Sequence, residues 1–184
     1  TLQYGRVIAK DGRIAKMVEH KDATEEERAC RLCNSGLMAV RGEDLFGLLA
    51  RVGNDNSQGE YYLVDIVNIA NRDGRACAVV VTDEPDEVAG INSRAELAEA
   101  EGRWQQVRRA KAMADGATLT TPETVWFSWD TEIGRDVTVG QNVIFGPGVK
   151  VADKATIHAF CHLEGAEVGS GCAVGPFARL RPGT

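Results

Sequence analysis

A six-residue period runs through residues 127–180, which read FSWDTEIGRDVTVGQNVIFGPGVKVADKATIHAFCHLEGAEVGSGCAVGPFARL. A large apolar residue recurs at every sixth position, interrupted by one single-residue deletion: Phe127, Ile133, Val139, Phe145, Val151, Ile157, Leu163, Val168, Val174 and Leu180. A helix would not keep this spacing on one face, and one long strand would not tolerate a glycine in every hexad. The pattern instead predicts a solenoid in which three hexads form a coil and the large apolar side chain points to the axis.

Two smaller positions complete each hexad. The residue after the large one is often small, as at Gly134, and a glycine there predicts a turn with a positive φ angle. The residue four positions after the large one is small or β-branched, which predicts that Cys161 and Cys172 are inward packing residues. These features resemble the hexapeptide-repeat left-handed β-helix, in which three chains commonly associate side by side.

The chain before the repeat predicts an α/β region. Its apolar runs predict strands over 4–9, 13–18, 37–40 and 76–81, helices over 25–30 and 43–52, and either type over 60–70. Asp11-Gly12 is a hairpin turn signal between the first two strands. Thr24 with Glu27 is a capping box for the first helix.

A long polar helix is predicted over residues 94–115. Ser93 with Glu96 forms a capping box at its start, and Gly116 terminates it. Its apolar stripe is thin and consists of Leu97, Ala100, Trp104 and Val107. A helix this polar is expected to be a mostly exposed connector between two parts of the protein.

Composition excludes several classes of protein. The 184 residues are 43% hydrophobic and 26% charged, which is typical of a globular chain. The net charge of −6 does not favour non-specific binding to nucleic acid or to anionic lipid. No apolar run is long enough to cross a membrane. The five cysteines, without a secretory signal, indicate reduced thiols in a cytoplasmic protein.

Six short motifs carry a more specific resemblance. They are YG at 4–5, EHKDAT at 19–24, NSG at 34–36, GEYYLVD at 59–65, GINSR at 90–94 and GPFARLR at 175–181. In order and spacing they resemble the bacterial bifunctional N-acetylglucosamine-1-phosphate uridyltransferase / glucosamine-1-phosphate acetyltransferase family. The resemblance extends over essentially the whole chain.

The resemblance implies a fold and a division of the chain. Residues 1–92 would be the C-terminal half of a Rossmann-like uridyltransferase domain, and 93–126 a helical arm. Residues 127–184 would be the first coils of a left-handed parallel β-helix acetyltransferase domain that forms a homotrimer. In the family, the nucleotide loop and an Asp sharing the Mg²⁺ come earlier, and the acetyltransferase His comes later. The resemblance therefore implies an internal fragment in which both active sites are partial.

Two reactions follow from the resemblance. One is Mg²⁺-dependent uridylyl transfer from UTP to N-acetylglucosamine 1-phosphate, which releases pyrophosphate and forms UDP-N-acetylglucosamine. The other is acetylation of glucosamine 1-phosphate by acetyl-CoA. The product would supply peptidoglycan and lipopolysaccharide synthesis.

Five residues are site candidates by the same resemblance. Gly5, Glu19, Asn34 and Asn92 match positions that contact UDP-N-acetylglucosamine, and Asn92 also matches an Mg²⁺ ligand. Arg181 matches an Arg that binds the sugar phosphate in the acetyltransferase site. No residue of the chain matches a catalytic position. The chemistry is suitable, because carboxylates and amides bond sugar hydroxyls, amide oxygens bind Mg²⁺, and guanidinium binds phosphate.

Local sequence alone leaves other interpretations open. Asn92 could simply adjoin the helix cap, and Glu19 could be an acidic residue at the end of a strand. Asn34 could be a turn residue, and Arg181 could be a solvated surface residue. At the level of function, the alternatives are a non-catalytic trimerisation scaffold or relic, and another sugar-1-phosphate nucleotidyltransferase with a β-helix. Cys30-x-x-Cys33 lacks the second pair that a zinc site needs, and His158 and His162 lack a nearby third ligand.

Overall fold

The computed structural model describes residues 3–184. The chain divides into two compact units, Thr1–Gly90 and Ile91–Thr184, and each has its own hydrophobic core. Within the described residues, no helix has the length and apolar character needed to span a bilayer.

The first unit combines one hairpin with short helices. Its elements are β1 (Arg6–Lys10), β2 (Arg13–Val18), α1 (Glu25–Ala29), α2 (Gly42–Leu49), α3 (Asp65–Arg72) and a 3₁₀ turn (Pro85–Val88). The predicted hairpin is confirmed: β1 and β2 pair antiparallel, and Asp11 and Gly12 turn the chain with φ angles of 52° and 74°. The capping box at α1 is also confirmed, with both Thr24–Glu27 hydrogen bonds present.

Residues 60–70 were compatible with either a helix or a strand, and the structure has helix α3 from residue 65 onward. Its buried face consists of Ile66, Val67, Ile69 and Ala70, which pack in the core of the first unit. Two amides of the same helix bond to the edge of β2. The Asn68 carboxamide accepts from the Met17 N–H at 2.9 Å and donates to the Met17 carbonyl at 2.8 Å, and Asn71 donates to the Ile14 carbonyl at 2.9 Å. These side-chain bonds pair backbone groups of β2 that a neighbouring strand would otherwise pair.

The strands predicted over 37–40 and 76–81 are wrong. Residues 37–40 are in irregular structure, with Leu37 76% exposed. Residues 76–81 pair with β2 only through the isolated bridge between Ala78 and Arg13, and Val80 is 95% exposed. Both apolar runs contribute alternate side chains to the core, but neither has an extended ladder partner.

The second unit begins with α4 (Arg94–Ala114), which confirms the predicted long helix. Ser93 accepts from the Glu96 N–H, whereas the Glu96 carboxylate accepts from the Asn92 N–H, so the second half of the predicted capping box is displaced by one residue. The predicted apolar stripe is largely exposed. The buried residues of the helix are Ala112 and, unexpectedly, Gln105.

Gln105 joins α4 to the first coil of the solenoid. Its carboxamide donates to the Phe127 carbonyl at 2.7 Å and accepts from the Phe127 N–H at 3.0 Å, and the side chain is fully buried. The Arg108 guanidinium lies 5.6 Å from the centre of the Phe127 ring. The C-terminal half of α4 therefore caps the first coil of the solenoid.

The solenoid that the hexads predict is confirmed, and it is a left-handed parallel β-helix of about four coils, as the resemblance implies. Its strands are β3 (Thr118–Leu119), β4 (Glu132–Ile133), β5 (Thr138–Val139), β6 (Ile144–Phe145), β7 (Lys150–Val151), β8 (Thr156–Ile157), β9 (His162–Leu163), β10 (Glu167–Val168), β11 (Ala173–Val174) and β12 (Arg179–Leu180). They stack into three parallel sheets with the orders β10-β7-β4, β11-β8-β5-β3 and β12-β9-β6. Inside, Phe127 and Phe145 stack with their ring centres 5.2 Å apart.

The role predicted for the hexad glycines is mostly wrong. The left-handed φ angle falls three residues after the large apolar residue, at Asp136, Asn142, Gly148, Lys154 and Phe160 among others. Gly134, which directly follows Ile133, does not have one. It is required for a close approach instead, because a Cβ there would lie 2.7 Å from the Asp153 amide nitrogen of the next coil.

The two solenoid cysteines differ. Cys161 is buried against the core as predicted, but Cys172 is exposed. Cys172 belongs to the last coil that the structure describes, where its hexad neighbours Ala173 and Gly175 are exposed as well.

We expect Val151→Asp to unfold the solenoid, because the buried charge would have no partner. The cost should be about 4 kcal/mol or more in free energy of unfolding. Ala173→Asp is the control, since Ala173 is also a strand residue of the solenoid but is exposed. Urea denaturation followed by circular dichroism measures both, and equal stability of the two variants would contradict the inward register.

We expect Gln105→Ala to destabilise the junction of α4 with the first coil. It leaves both the N–H and the carbonyl of buried Phe127 unpaired, at about 1–3 kcal/mol for each group. Gln106→Ala is the matched control, because Gln106 is the next residue of the same helix and is exposed. Urea denaturation should separate the two variants by about 2 kcal/mol or more. Indistinguishable midpoints would show that the Gln105 bonds contribute nothing.

Candidate functional site

Gly5 and Glu19 are neighbours at one end of the hairpin. Gly5 immediately precedes β1, and Glu19 immediately follows β2. A Cβ at Gly5 would lie 3.2 Å from the Val18 carbonyl oxygen and 3.3 Å from Glu19 Oε2. The absence of a side chain at Gly5 therefore lets the Glu19 carboxylate lie against the backbone.

Asn34 joins the same group. Its backbone N–H donates to the Gly5 carbonyl at 2.9 Å, next to the bridge between Arg6 and Cys33. Its side-chain oxygen accepts from the Gly36 N–H at 3.0 Å, which forms the turn expected from the NSG motif. Three of the predicted site residues, Gly5, Glu19 and Asn34, are thus brought together by the hairpin and the segment beside it.

The Glu19 carboxyl is half-buried and lies in a negative environment. Burial raises its pKa above the usual value, and the carboxylates of Asp22 and Asp65 raise it further. A carboxylate in this setting is a strong acceptor for hydroxyl donors, because a ligand would replace the water that burial has removed.

Asn92 belongs to the second unit, just before the N-cap of α4. Its backbone N–H donates to Glu96 Oε2 at 2.6 Å. The residue is exposed, and no hydrogen bond of its carboxamide is found within residues 3–184. A single amide oxygen is consistent with the coordination preference of Mg²⁺, which binds few protein ligands and completes its coordination shell with phosphate and water. The same described residues contain no group of three or more His, Cys, Asp or Glu arranged to hold a metal ion.

Arg181 follows β12 in the last coil. Its backbone N–H donates to the Thr184 hydroxyl at 3.3 Å, and its carbonyl accepts from that hydroxyl at 2.7 Å. These bonds fix the backbone and leave the exposed side chain available to solvent. Arg179, two residues earlier, lies in register with His162 on the outer face of its sheet.

Sequence reasoning missed the residues that support Glu19. Asp22 and Tyr62 both interact electrostatically with the Glu19 carboxylate, and Asn68 holds β2 at Met17. Asp22 lies inside the EHKDAT motif and Tyr62 inside GEYYLVD. The motifs that indicated the site therefore also contained part of its support.

The fold defines the chain as a hexapeptide-repeat β-helix protein with a preceding α/β unit. No protein-family model matches it. It is 72% identical over 183 residues to a "Bifunctional protein GlmU" of Sphingopyxis alaskensis, covering 100% of the chain and 40% of that protein. Proteins of the same name show 81% identity over 79% of the chain in Novosphingobium aromaticivorans and 58% over 98% in Zymomonas mobilis, covering 32% and 40% of those proteins.

The chain belongs to the family of the bifunctional protein GlmU. It spans about 40% of the length of the relatives from Sphingopyxis alaskensis and Zymomonas mobilis.

We expect Gly5→Ala to loosen the group around Glu19. The new methyl would push the Val18 carbonyl and the Glu19 carboxylate by a few tenths of an ångström, at a cost of about 1–3 kcal/mol. Gly47→Ala is the control, because a Cβ at Gly47 in α2 would meet nothing within 4 Å. Amide hydrogen exchange at Asn34, whose N–H bonds to Gly5, should accelerate only in the first variant. Unchanged exchange in Gly5→Ala would contradict the tight packing.

Proposed function

We propose that the chain provides parts of two sites in an enzyme that makes UDP-N-acetylglucosamine. One reaction is uridylyl transfer from UTP to N-acetylglucosamine 1-phosphate, and the other is acetyl transfer from acetyl-CoA to glucosamine 1-phosphate. The observation that carries this proposal is the grouping of Gly5, Glu19 and Asn34 at one end of the hairpin. Membership of the GlmU family supports it.

In the uridylyl reaction, these residues bind and orient the sugar. The ionised Glu19 carboxylate accepts hydrogen bonds from sugar hydroxyls, and the Asn34 carboxamide donates through Nδ2. Gly5 leaves room for the Glu19 carboxylate to lie against the backbone. None of the three is proposed to move a proton or to attack phosphorus. Their contribution is to hold the sugar phosphate in line with the nucleotide.

Asn92 is proposed as one Mg²⁺ ligand for the uridylyl reaction. A bound Mg²⁺ would offset the negative charge that develops on the leaving pyrophosphate. The carboxamide of exposed Asn92 has its oxygen available, because the bond to Glu96 is made by the backbone N–H and no bond of the carboxamide is found within residues 3–184. The Asp that shares this metal in the family matches no residue of the chain.

Arg181 is proposed to bind the sugar phosphate of the acetyl reaction. A guanidinium presents several N–H donors in a plane and can bond two phosphate oxygens at once. Its backbone is fixed by Thr184, whereas its side chain is exposed.

We propose that three copies associate through their solenoids in the cytoplasm. The outer side of the sheet β12-β9-β6 carries exposed apolar groups where Trp126 bridges to Ile144, with exposed fractions of 45% and 43%. The sheet β10-β7-β4 instead exposes a salt bridge between Lys150 and Glu132 at 3.1 Å. The apolar side is the better candidate for contact between copies, because desolvating it costs less.

The two proposed sites predict a crossed result in the intact protein. Asn92→Ala should depress uridylyl transfer and leave acetyl transfer near normal, because it removes only a metal and nucleotide contact. Arg181→Ala should do the reverse, by about tenfold or more in kcat/KM, since it removes a charged hydrogen bond to phosphate. Arg179→Ala is the control for Arg181. Assays of both activities test the assignment.

Equal loss of both activities in either variant would contradict it. Absence of both activities from the unmodified intact protein would favour a non-catalytic trimerisation scaffold. Activity with a different nucleotide or sugar phosphate would identify another sugar-1-phosphate nucleotidyltransferase.

A further inference from the structure

The turn after β2 is tied to a distant loop by a single carboxylate. The Asp22 N–H donates to the Glu19 carbonyl at 3.1 Å and closes the turn that contains Glu19. Asp22 Oδ1 in turn accepts from the Ser57 N–H at 2.9 Å, across 35 residues of sequence. Asp22 therefore connects the backbone of Glu19 to the loop formed by residues 54–60.

The same contact is reinforced on two sides. Hydrogen bonds from Ser57, and more weakly from the Tyr62 hydroxyl, hold the pKa of the Asp22 carboxyl below its usual value. Lys21, the neighbouring residue of the turn, donates from Nζ to Gln58 Oε1 at 2.5 Å. The turn and the loop are thus joined by consecutive residues on both sides, which restricts how the turn can move.

We propose that Asp22 is a positioning residue for Glu19 and that it sets how well Glu19 receives the sugar of a UDP-sugar. This inference rests on the proposed function of the Gly5–Glu19–Asn34 group. Asp22 acts in two ways. Its backbone and side-chain bonds fix the turn, and its negative charge is one of the groups that face the Glu19 carboxylate.

The charges around Glu19 mean that the proposed role of Asp22 should be visible in the pH dependence of sugar binding. The titratable groups facing Glu19 are Asp22 in the turn, Asp65 at the start of α3, and Tyr62 just before that helix. Asp22 and Asp65 both raise the pKa of Glu19. Removing the Asp22 charge therefore lowers that pKa. If ionised Glu19 accepts the sugar hydroxyls, binding is lost on acidification, and without the Asp22 charge it is lost at a lower pH.

Two variants separate the two effects. Asp22→Asn keeps a side-chain oxygen for the Ser57 N–H but removes the charge, whereas Asp22→Ala removes both. Asp55→Asn is the matched control, because Asp55 is an exposed carboxylate in the same loop, and within residues 3–184 no bond of its side chain is found. Titration calorimetry with UDP-N-acetylglucosamine from pH 4 to pH 8 measures the dissociation constant of the intact protein, and thermal unfolding checks each variant.

In Asp22→Asn, the loss of affinity for UDP-N-acetylglucosamine on acidification is expected to occur at a lower pH than in the unmodified protein. The melting temperature should not fall in parallel with this shift. Asp22→Ala is expected to weaken binding on the order of tenfold at pH 8, since a hydrogen bond to a charged group is lost. Asp55→Asn should match the unmodified protein in both respects. An unshifted pH dependence of binding in Asp22→Asn, or unchanged affinity in Asp22→Ala, overturns the inference. Failure of the unmodified protein to bind UDP-N-acetylglucosamine at any pH overturns the proposed function instead.

Discussion

A ladder of strands must end somewhere, and the strand at its end has backbone groups without a strand partner. Each coil of the solenoid bonds to the next through its backbone, as in the 2.9 Å bond from the Thr138 N–H to the Ala155 carbonyl. At Phe127 in the first coil the ladder is closed by Gln105, whose carboxamide supplies one acceptor and one donor. Unpaired buried backbone groups are costly, so the solenoid core depends on this contact.

The first unit uses the same chemistry for a different purpose. Asn68 pairs with both backbone groups of Met17, and Asn71 bonds to the carbonyl of Ile14, so α3 takes the place of a strand beside β2. A carboxamide suits this role because it carries a donor and an acceptor at the spacing of a peptide group. Since Met17 lies two residues before Glu19, the bonds that protect the edge of the sheet also hold the backbone leading into the candidate site.

The sequence predicts best where one local rule is repeated. Every hexad repeats the inward position, so the register of the solenoid was readable from spacing alone, and Val139, Phe145 and Ile157 are indeed buried. Apolar runs outside the repeat were less informative, because residues 76–81 are apolar without having an extended ladder partner. Gln105 was missed for the opposite reason. A polar residue on a polar helix predicts exposure, and only the end of the strand ladder explains its burial.

The candidate site shows a similar division. The motifs indicated Gly5, Glu19 and Asn34 by resemblance, but they did not show that a carboxylate could lie beside Gly5 only because that residue lacks a Cβ. Nor could spacing show that Ser57 would bond to Asp22, 35 residues away. Such contacts join segments whose patterns are independent in sequence. A binding residue such as Glu19 is therefore easier to recognise than its support, although the support determines the direction and the pKa of the carboxylate.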